Sequence, residues 1–374
     1  MRALRVQRQF LALALPGMSS LEHHPGHHRR ARRVMSGPAF WLLLAGAAAA
    51  SAILTAPLRA WLLRRRIVDL PGSRRSHALP TPRGGGLACV IALALAWLAW
   101  PGALSAWWPL VTAVVFMAIV GWLEDRHQLS ARLRLFCQMA VAVGLLMAAG
   151  GVDSVSFFGH DLRAWWLWTG LGAIAIVWLI NLYNFMDGSD GMAAMQGLWA
   201  GGVAAWLLYS SGQSQLAAFA LAGAGAWGGF LAWNRPPAGI FMGDTGSLAL
   251  GVVVAGCAVM GASSGAISVW ISFMISALFV VDATATLLSR VLRGERWYTA
   301  HRQHAYQRLL DLGWSHGRVL GLYALINVLL VLPMIAAAVR WPHLDTMLAA
   351  GLAVVLAVGW RVVQSAATLN NDKA

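Results

Sequence analysis

Charge is what this sequence has least of. Only 11% of its 374 residues are charged, Asp and Glu together number 14, and 59% are hydrophobic, whereas soluble domains carry roughly 25% charged residues. A soluble fold could not hide so much apolar surface. Cysteine is nearly absent as well: Cys89, Cys137 and Cys257 lie far apart inside apolar runs, without metal-ligand spacing, which leaves them as buried small residues. No repeat of fixed period occurs. No connection between apolar runs is long enough for a separate soluble domain.

The apolar runs themselves are abundant, and most approach the roughly 20 residues that cross a hydrocarbon core. They fall near residues 39–62, 84–104, 107–123, 134–151, 165–182, 191–210, 214–233, 246–262, 266–288, 318–340 and 344–364. This predicts an all-α polytopic membrane protein of about eleven transmembrane helices, with residues 35–374 forming one membrane domain. Small residues within the runs suit close helix packing in lipid.

A net charge of +14 would point to nucleic acid in a soluble protein, but here the arginines sit in loops, where they report orientation. Arg64, Arg65, Arg66, Arg74, Arg75 and Arg83 occupy one loop, and Arg293, Arg296, Arg302 and Arg308 another. Both are expected in the cytosol. Residues 1–34 carry Arg29, Arg30, Arg32 and Arg33 on the opposite side, and the run Phe10 to Pro16 is too short to span. We read them as an upstream translation or a disordered extension, with Met35 as the start.

Acids near membrane depth are costly and tend to be functional. Asp153, His160 and Asp161 read as a solvated outer hairpin; the other polar residues gather into five islands at the cytosolic ends of spans. In DLPGSRRSHALPTPRGGG, three prolines prevent a continuous helix and the arginines offer forked donors suited to phosphate, although orientation alone also demands an Arg-rich loop. In GWLEDRHQLSARLRLFCQ, the adjacent Glu124 and Asp125 point about 100° apart on a helix, so both can face one point only where the helix ends. NLYNFMDGSDGMAAMQG places Asn181, Asn184, Asp187 and Asp190 at three-residue steps, close to one helix face. NRPPAGIFMGDTGSLALG opens a span with Asp244, which either caps the helix or offers a carboxylate beside free N–H groups for a magnesium phosphate. The fifth, RVLRGERWYTAHRQHAYQRL, concentrates His301, Arg302, His304, Tyr306, Gln307 and Arg308. Oxygen ligands elsewhere favour phosphate or nucleotide binding there over metal ligation.

In this order HALPTPRGGG, Glu124 with Asp125, NFMDGSDG, IFMGDTGS and AHRQHAYQ resemble the polyprenyl-phosphate N-acetylhexosamine-1-phosphate transferase family. The resemblance covers nearly all of the chain after Met35. It implies a bacterial inner-membrane enzyme with a cytosolic active site, a UDP-N-acetylamino sugar as donor, undecaprenyl phosphate as acceptor, and Mg²⁺, or Mn²⁺ in its place. Asp244 would be the metal ligand, Asp187 and Asp190 the acidic cluster with Asn184 beside them, and Glu124 and Asp125 the family's acidic pair. Arg83, His301, Arg302 and His304 would bind the donor. Two departures stand out. Glu124 replaces the usual first aspartate, and HRQH replaces the run of histidines of the peptidoglycan enzyme, which is closer to the subgroup that starts O-antigen. The peptidoglycan reaction, a transporter with acidic coupling sites and a purely structural subunit remain as alternatives, and a homodimer is left open.

Overall fold

The computed structural model describes residues 38–69, 80–296 and 301–371; the N-terminal segment 1–34 and the arginines 74 and 75 lie outside them. In chain order the elements are α1 (Pro38–Arg64), β1 (Val68–Asp69), β2 (Thr81–Pro82), α2 (Gly86–Ala99), α3 (Ala103–Ala106), α4 (Trp108–His127) and α5 (Ala131–Ala149). The hairpin β3 (Ser154–Phe157) and β4 (His160–Arg163) follows, then α6 (Trp165–Phe185), α7 (Met192–Ser210), α8 (Ser214–Asn234) and α9 (Gly243–Ser263). The chain closes with α10 (Val269–Ile275), α11 (Ala277–Leu292), α12 (Ala305–Asp311), α13 (His316–Ile326), a π-helical turn (Asn327–Val331), α14 (Leu332–Arg340) and α15 (Asp345–Asn371).

Every one of the eleven expected runs is helical, yet fewer qualify as full crossings. Among the described residues eight helices are long and apolar enough, and a ninth span results if the bent pair α10 and α11 counts as one. The shortfall has two causes. The 14 residues of α2 reach only about 21 Å against a core of about 30 Å, and Gln196, Gly197, Gly201 and Gly202 dilute the apolarity of α7. The expected hairpin is present: β3 and β4 pair antiparallel from Ser154 with Arg163 to Phe157 with His160, and β4 is exposed along its length. All three cysteines are buried and free.

At the centre stand α8 and α9, which bury 67% and 78% of their apolar windows, while the other six of those eight helices bury 39% or less. Glycine sets how closely neighbours approach α9. A Cβ at Gly121 of α4 would strike the backbone of Asp244 and Thr245, so only glycine lets α4 pass beneath the first turn of α9.

The second irregular feature is the 83° bend between α10 and α11. Backbone groups freed inside a membrane need internal partners, since lipid offers none. The carbonyl of Ile275 at the break accepts from Gln196 Nε2 at 3.1 Å and Trp199 Nε1 at 2.9 Å. Gln196 in turn accepts from Asn327 Nδ2 at 2.9 Å, and the Tyr183 hydroxyl meets Ser276 Oγ at 3.1 Å. Three helices thus hold the bend through polar side chains. Replacing Gln196 with Leu leaves Asn327 without that acceptor and should destabilise the protein by about 1–3 kcal/mol, read as a lower unfolding midpoint in detergent; an unchanged midpoint would show that the bend does not depend on Gln196.

Candidate active site

α4 and α6 end where α2, α7, α9 and α13 begin, and the polar islands meet at that end of the bundle. Backbone pairing fixes the first contact. Phe241 N–H donates to Pro82 O at 2.8 Å, Gly85 N–H donates to Phe241 O at 2.9 Å, and Gly86 N–H donates to Met242 O at 2.8 Å. The chain before α2 is therefore knitted to the chain before α9. Arg83 consequently lies beside Asp244.

Arg83 joins two carboxylates. Its Nε donates to Asp125 Oδ1 at 2.8 Å and its Nη2 to Asp244 Oδ1 at 2.6 Å. Burial works against the charge on Arg83, but Asp244 and Asp125 hold its guanidinium above the ordinary value, so it is a permanent cation. Asp244 Oδ1 also accepts from Asn184 Nδ2 at 3.0 Å, and the same amide nitrogen reaches Ser247 Oγ at 2.9 Å.

Asp244 does not cap its own helix. That task falls to Asp125, whose carboxylate accepts from Asp244 N–H at 3.0 Å, Thr245 N–H at 3.1 Å and Thr245 Oγ1–H at 3.0 Å. A carboxylate at a helix N-terminus satisfies orphan donors and opposes the helix dipole. The side chain of Asp125 is 5% exposed, and all these donors converge on it.

Asp187 and Asp190 lie on the turn between α6 and α7. Burial, reinforced by Asp244, Asp125 and Asp190 and opposed by Arg83, pushes the Asp187 carboxyl well above the usual carboxylate range. Asp190 Oδ2 accepts from Ala238 N–H at 3.0 Å. Asn234, the last residue of α8, brackets this turn: its Oδ1 accepts from Gly191 N–H at 3.1 Å and its Nδ2 donates to Ile240 O at 2.9 Å. His316, the first residue of α13, was missed altogether. Its Nδ1 lies 2.9 Å from Ser189 Oγ and accepts from Asp190 N–H at 3.3 Å. A lone histidine after a serine carries no spacing signal, so only the fold could place it there.

These groups enclose a cavity of about 210 Å³ lined by Arg83, Asn184, Asp187, Asp190, Asp244 and Arg302, with Asp69, Ser189, Asn234 and Gln307 among its other walls. The remaining expected site residues sit outside it. Asp125 is turned into the first turn of α9, as above. Glu124 accepts from Leu129 N–H at 2.6 Å and pairs with Arg134 at 3.1 Å, so it closes the turn between α4 and α5. His301 and His304 pack against each other at a tilt, with 4.9 Å between ring centroids, outside the cavity lining; burial, with His304 and Arg290 beside it, lowers His301 to about 4, which keeps it neutral.

Asp187, Asp190 and Asp244 with the amide of Asn184 form an oxygen donor set, which suits a hard cation. Among the described residues no three His, Cys, Asp or Glu side chains converge tightly enough to hold a metal by themselves. That still fits Mg²⁺, which binds through one or two carboxylates and completes its shell with water and substrate phosphate. Burial is the first cause of the raised Asp187 pKa, with Asp244, Asp125 and Asp190 adding to it.

A helical membrane protein with buried carboxylates, a bridging arginine and a polar cavity at one end of its bundle is built to handle an anionic substrate next to lipid. Residues 107–262 match the model of glycosyl transferase family 4. The chain is 30% identical over 269 residues to a probable undecaprenyl-phosphate N-acetylglucosaminyl 1-phosphate transferase of Bacillus subtilis (strain 168), covering 71% of this chain and 75% of that protein. It is 31% identical over 273 residues to a phospho-N-acetylmuramoyl-pentapeptide-transferase of Shouchella clausii, covering 67% and 81%. A protein of that same name from Moorella thermoacetica is 29% identical over 311 residues, covering 76% and 94%. The chain belongs to glycosyl transferase family 4.

Because Asp125 both caps α9 and holds Arg83, Asp125→Asn should preserve the bundle yet lower turnover on the order of tenfold or more, since a charged hydrogen bond is worth about 1.5–3 kcal/mol. Steady-state rates on monodisperse protein check this, and a rate near that of the unaltered chain would remove Asp125 from the account.

Proposed function

We propose that the chain transfers an N-acetylhexosamine 1-phosphate from a UDP-sugar to undecaprenyl phosphate, releases UMP, and so starts a lipid-linked surface polysaccharide of the O-antigen type. The observation that carries this reading is the single cavity shared by Arg83, Asn184, Asp187, Asp190, Asp244 and Arg302. Cations for phosphate and carboxylates for a dication meet there at one end of the bundle. A transporter would place its acids near the bilayer midplane.

A phosphate oxygen of the lipid carrier attacks the β-phosphorus of the donor, the bond to the bridging oxygen breaks, and UMP leaves. When bound, Mg²⁺, or Mn²⁺ in its place, would polarise the diphosphate oxygens, with Asp244 and Asp187 as its protein ligands. Arg83 and Arg302 offset charge on the transferred phosphoryl group. Asn184 and Arg83 hold the Asp244 carboxylate in one orientation, and Asp125 holds its backbone. A phosphate monoester with a second pKa near 6 is mostly ionised at neutral pH, so the acceptor needs no dedicated base. The arginines around this end support a cytosolic orientation for it in a bacterial cell under the positive-inside rule.

A second reading, a peptide-bearing donor, is favoured by the relatives named phospho-N-acetylmuramoyl-pentapeptide-transferase. The HRQH segment and the relative named as an N-acetylglucosaminyl 1-phosphate transferase support a donor without peptide.

One phosphoanhydride is broken and a similar one formed, so the reaction should run in both directions. Membranes carrying the protein, with Mg²⁺ and lipid carrier, should release UMP from a UDP-N-acetylhexosamine and exchange labelled UMP into that donor. UDP as the sole nucleotide product would reject the assignment, and turnover only with a peptide-bearing donor would select the second reading. In the same assay Asp244→Asn, nearly isosteric, should keep the fold and lose on the order of a hundredfold in Mg²⁺-dependent turnover, since polarisation by a metal is worth several kcal/mol; near-normal turnover would exclude Asp244 as a required ligand.

A further inference from the structure

One buried carboxylate stands apart from the cavity. Asp282 lies in α11, 4% exposed, and a carboxylate in a membrane helix is costly unless its oxygens are satisfied. Partners come from three elements. Asp282 Oδ1 accepts from Ala305 N–H at 2.8 Å and from Thr286 Oγ1–H at 3.3 Å; Oδ2 accepts from Tyr323 O–H at 3.0 Å, with Tyr306 N–H at 3.5 Å. His304 Nδ1 lies 3.6 Å away.

What Asp282 holds leads to the cavity. Tyr306, fully buried, donates its hydroxyl to the Phe185 carbonyl at 3.2 Å, two residues before Asp187. Burial also raises the Tyr306 phenol above its ordinary value, so it remains a donor. A Cβ on Gly188 would collide with that hydroxyl, so the turn bearing Asp187 and the ring of Tyr306 fit only with glycine at 188. The next residue, Gln307, lines the cavity and accepts from His304 N–H at 3.2 Å. Arg302, also in the wall, is tied to Asp311 at the far end of α12 by a 2.9 Å pair.

We propose that Asp282 is a positioning residue for the donor site: it fixes the first turn of α12 and thereby sets Tyr306 against the Asp187 turn, with Gln307 and Arg302 in the cavity wall. The inference rests on the reading that this cavity takes a UDP-sugar. A carboxylate that served only to hold helices together would, when altered, lower stability and total turnover without discriminating between substrates. A positioning residue acts on the donor.

The test compares full-length unaltered protein with Asp282→Asn, Tyr306→Phe, their double variant and Tyr323→Phe, measuring UMP release while UDP-N-acetylhexosamine and undecaprenyl phosphate are varied in turn. Asp282→Asn and Tyr306→Phe should each raise the donor KM roughly tenfold and leave the acceptor KM within about twofold, with the double variant no worse than the weaker single because both act along one path. Tyr323→Phe, which leaves the backbone partners in place, should shift the donor KM in the same direction by less. Loss of kcat with the donor KM unchanged, or a rise in the acceptor KM alone, would overturn the proposal. If Asp282→Asn does not yield monodisperse protein, Tyr306→Phe and Tyr323→Phe decide by the same criterion. Absence of UMP release by the unaltered chain overturns the functional reading and this inference with it, whereas UMP release with an unshifted donor KM overturns this inference alone.

Discussion

The site is organised by a carboxylate that does not face it. Asp125, at the end of α4, takes up the first N–H groups of α9 and one edge of the Arg83 guanidinium. Arg83 donates its Nη2 to Asp244. Three segments distant in sequence are thereby fixed to one another, and the geometry of the forked guanidinium sets their spacing, which a lysine's point charge could not do. Asp244 is held by its backbone from Asp125 and by its side chain from Arg83 and Asn184. Gly121 is the steric condition for all of this, since any larger residue would push α4 away from the first turn of α9.

Lipid imposes the second constraint. Backbone left open at membrane depth must find protein partners, and the bend between α10 and α11 finds them in Gln196 and Trp199. Because α11 turns aside there by 83°, its Asp282 comes to the start of α12 instead of continuing along a straight span. The polar residues inside the bundle thus belong to two linked tasks. One set closes the bend, and the other carries α12 to the cavity wall.

Much of this was legible in the sequence, and for definable reasons. Hydrophobic run length located all eleven helical segments, because in lipid an apolar stretch has no other stable form. Run length did not reveal that α2 stops short or that Ser276 breaks a span, since both depend on neighbours that accept the freed backbone. Of the stripe Asn181, Asn184, Asp187 and Asp190, the last three line the cavity with the isolated Asp244, whereas Asn181 pairs with Gln138 instead. Because α6 ends at Phe185, the stripe is not one helix face. Residue type alone could not say which way a side chain turns. Adjacent Glu124 and Asp125 were grouped as one acidic pair, yet one closes a turn with Arg134 and the other caps α9. His301 and His304 looked like ligand contacts and instead pack against each other at a tilt outside the cavity lining, while Gln307 from the same segment lines the cavity. Asn234 and His316 act only through contacts made across the fold.

We propose that Asp187 and Asp244 hold a divalent cation together with the donor diphosphate, in a cavity shaped by Arg83 and Asp125. The most direct test is a crystal or cryo-cooled complex of the protein with a UDP-N-acetylhexosamine and Mn²⁺, examined by anomalous scattering at the manganese edge. A single manganese peak is expected within ligand distance of the Asp244 carboxylate and of a diphosphate oxygen. A peak at His301 and His304, or a diphosphate bound outside the cavity, would contradict it.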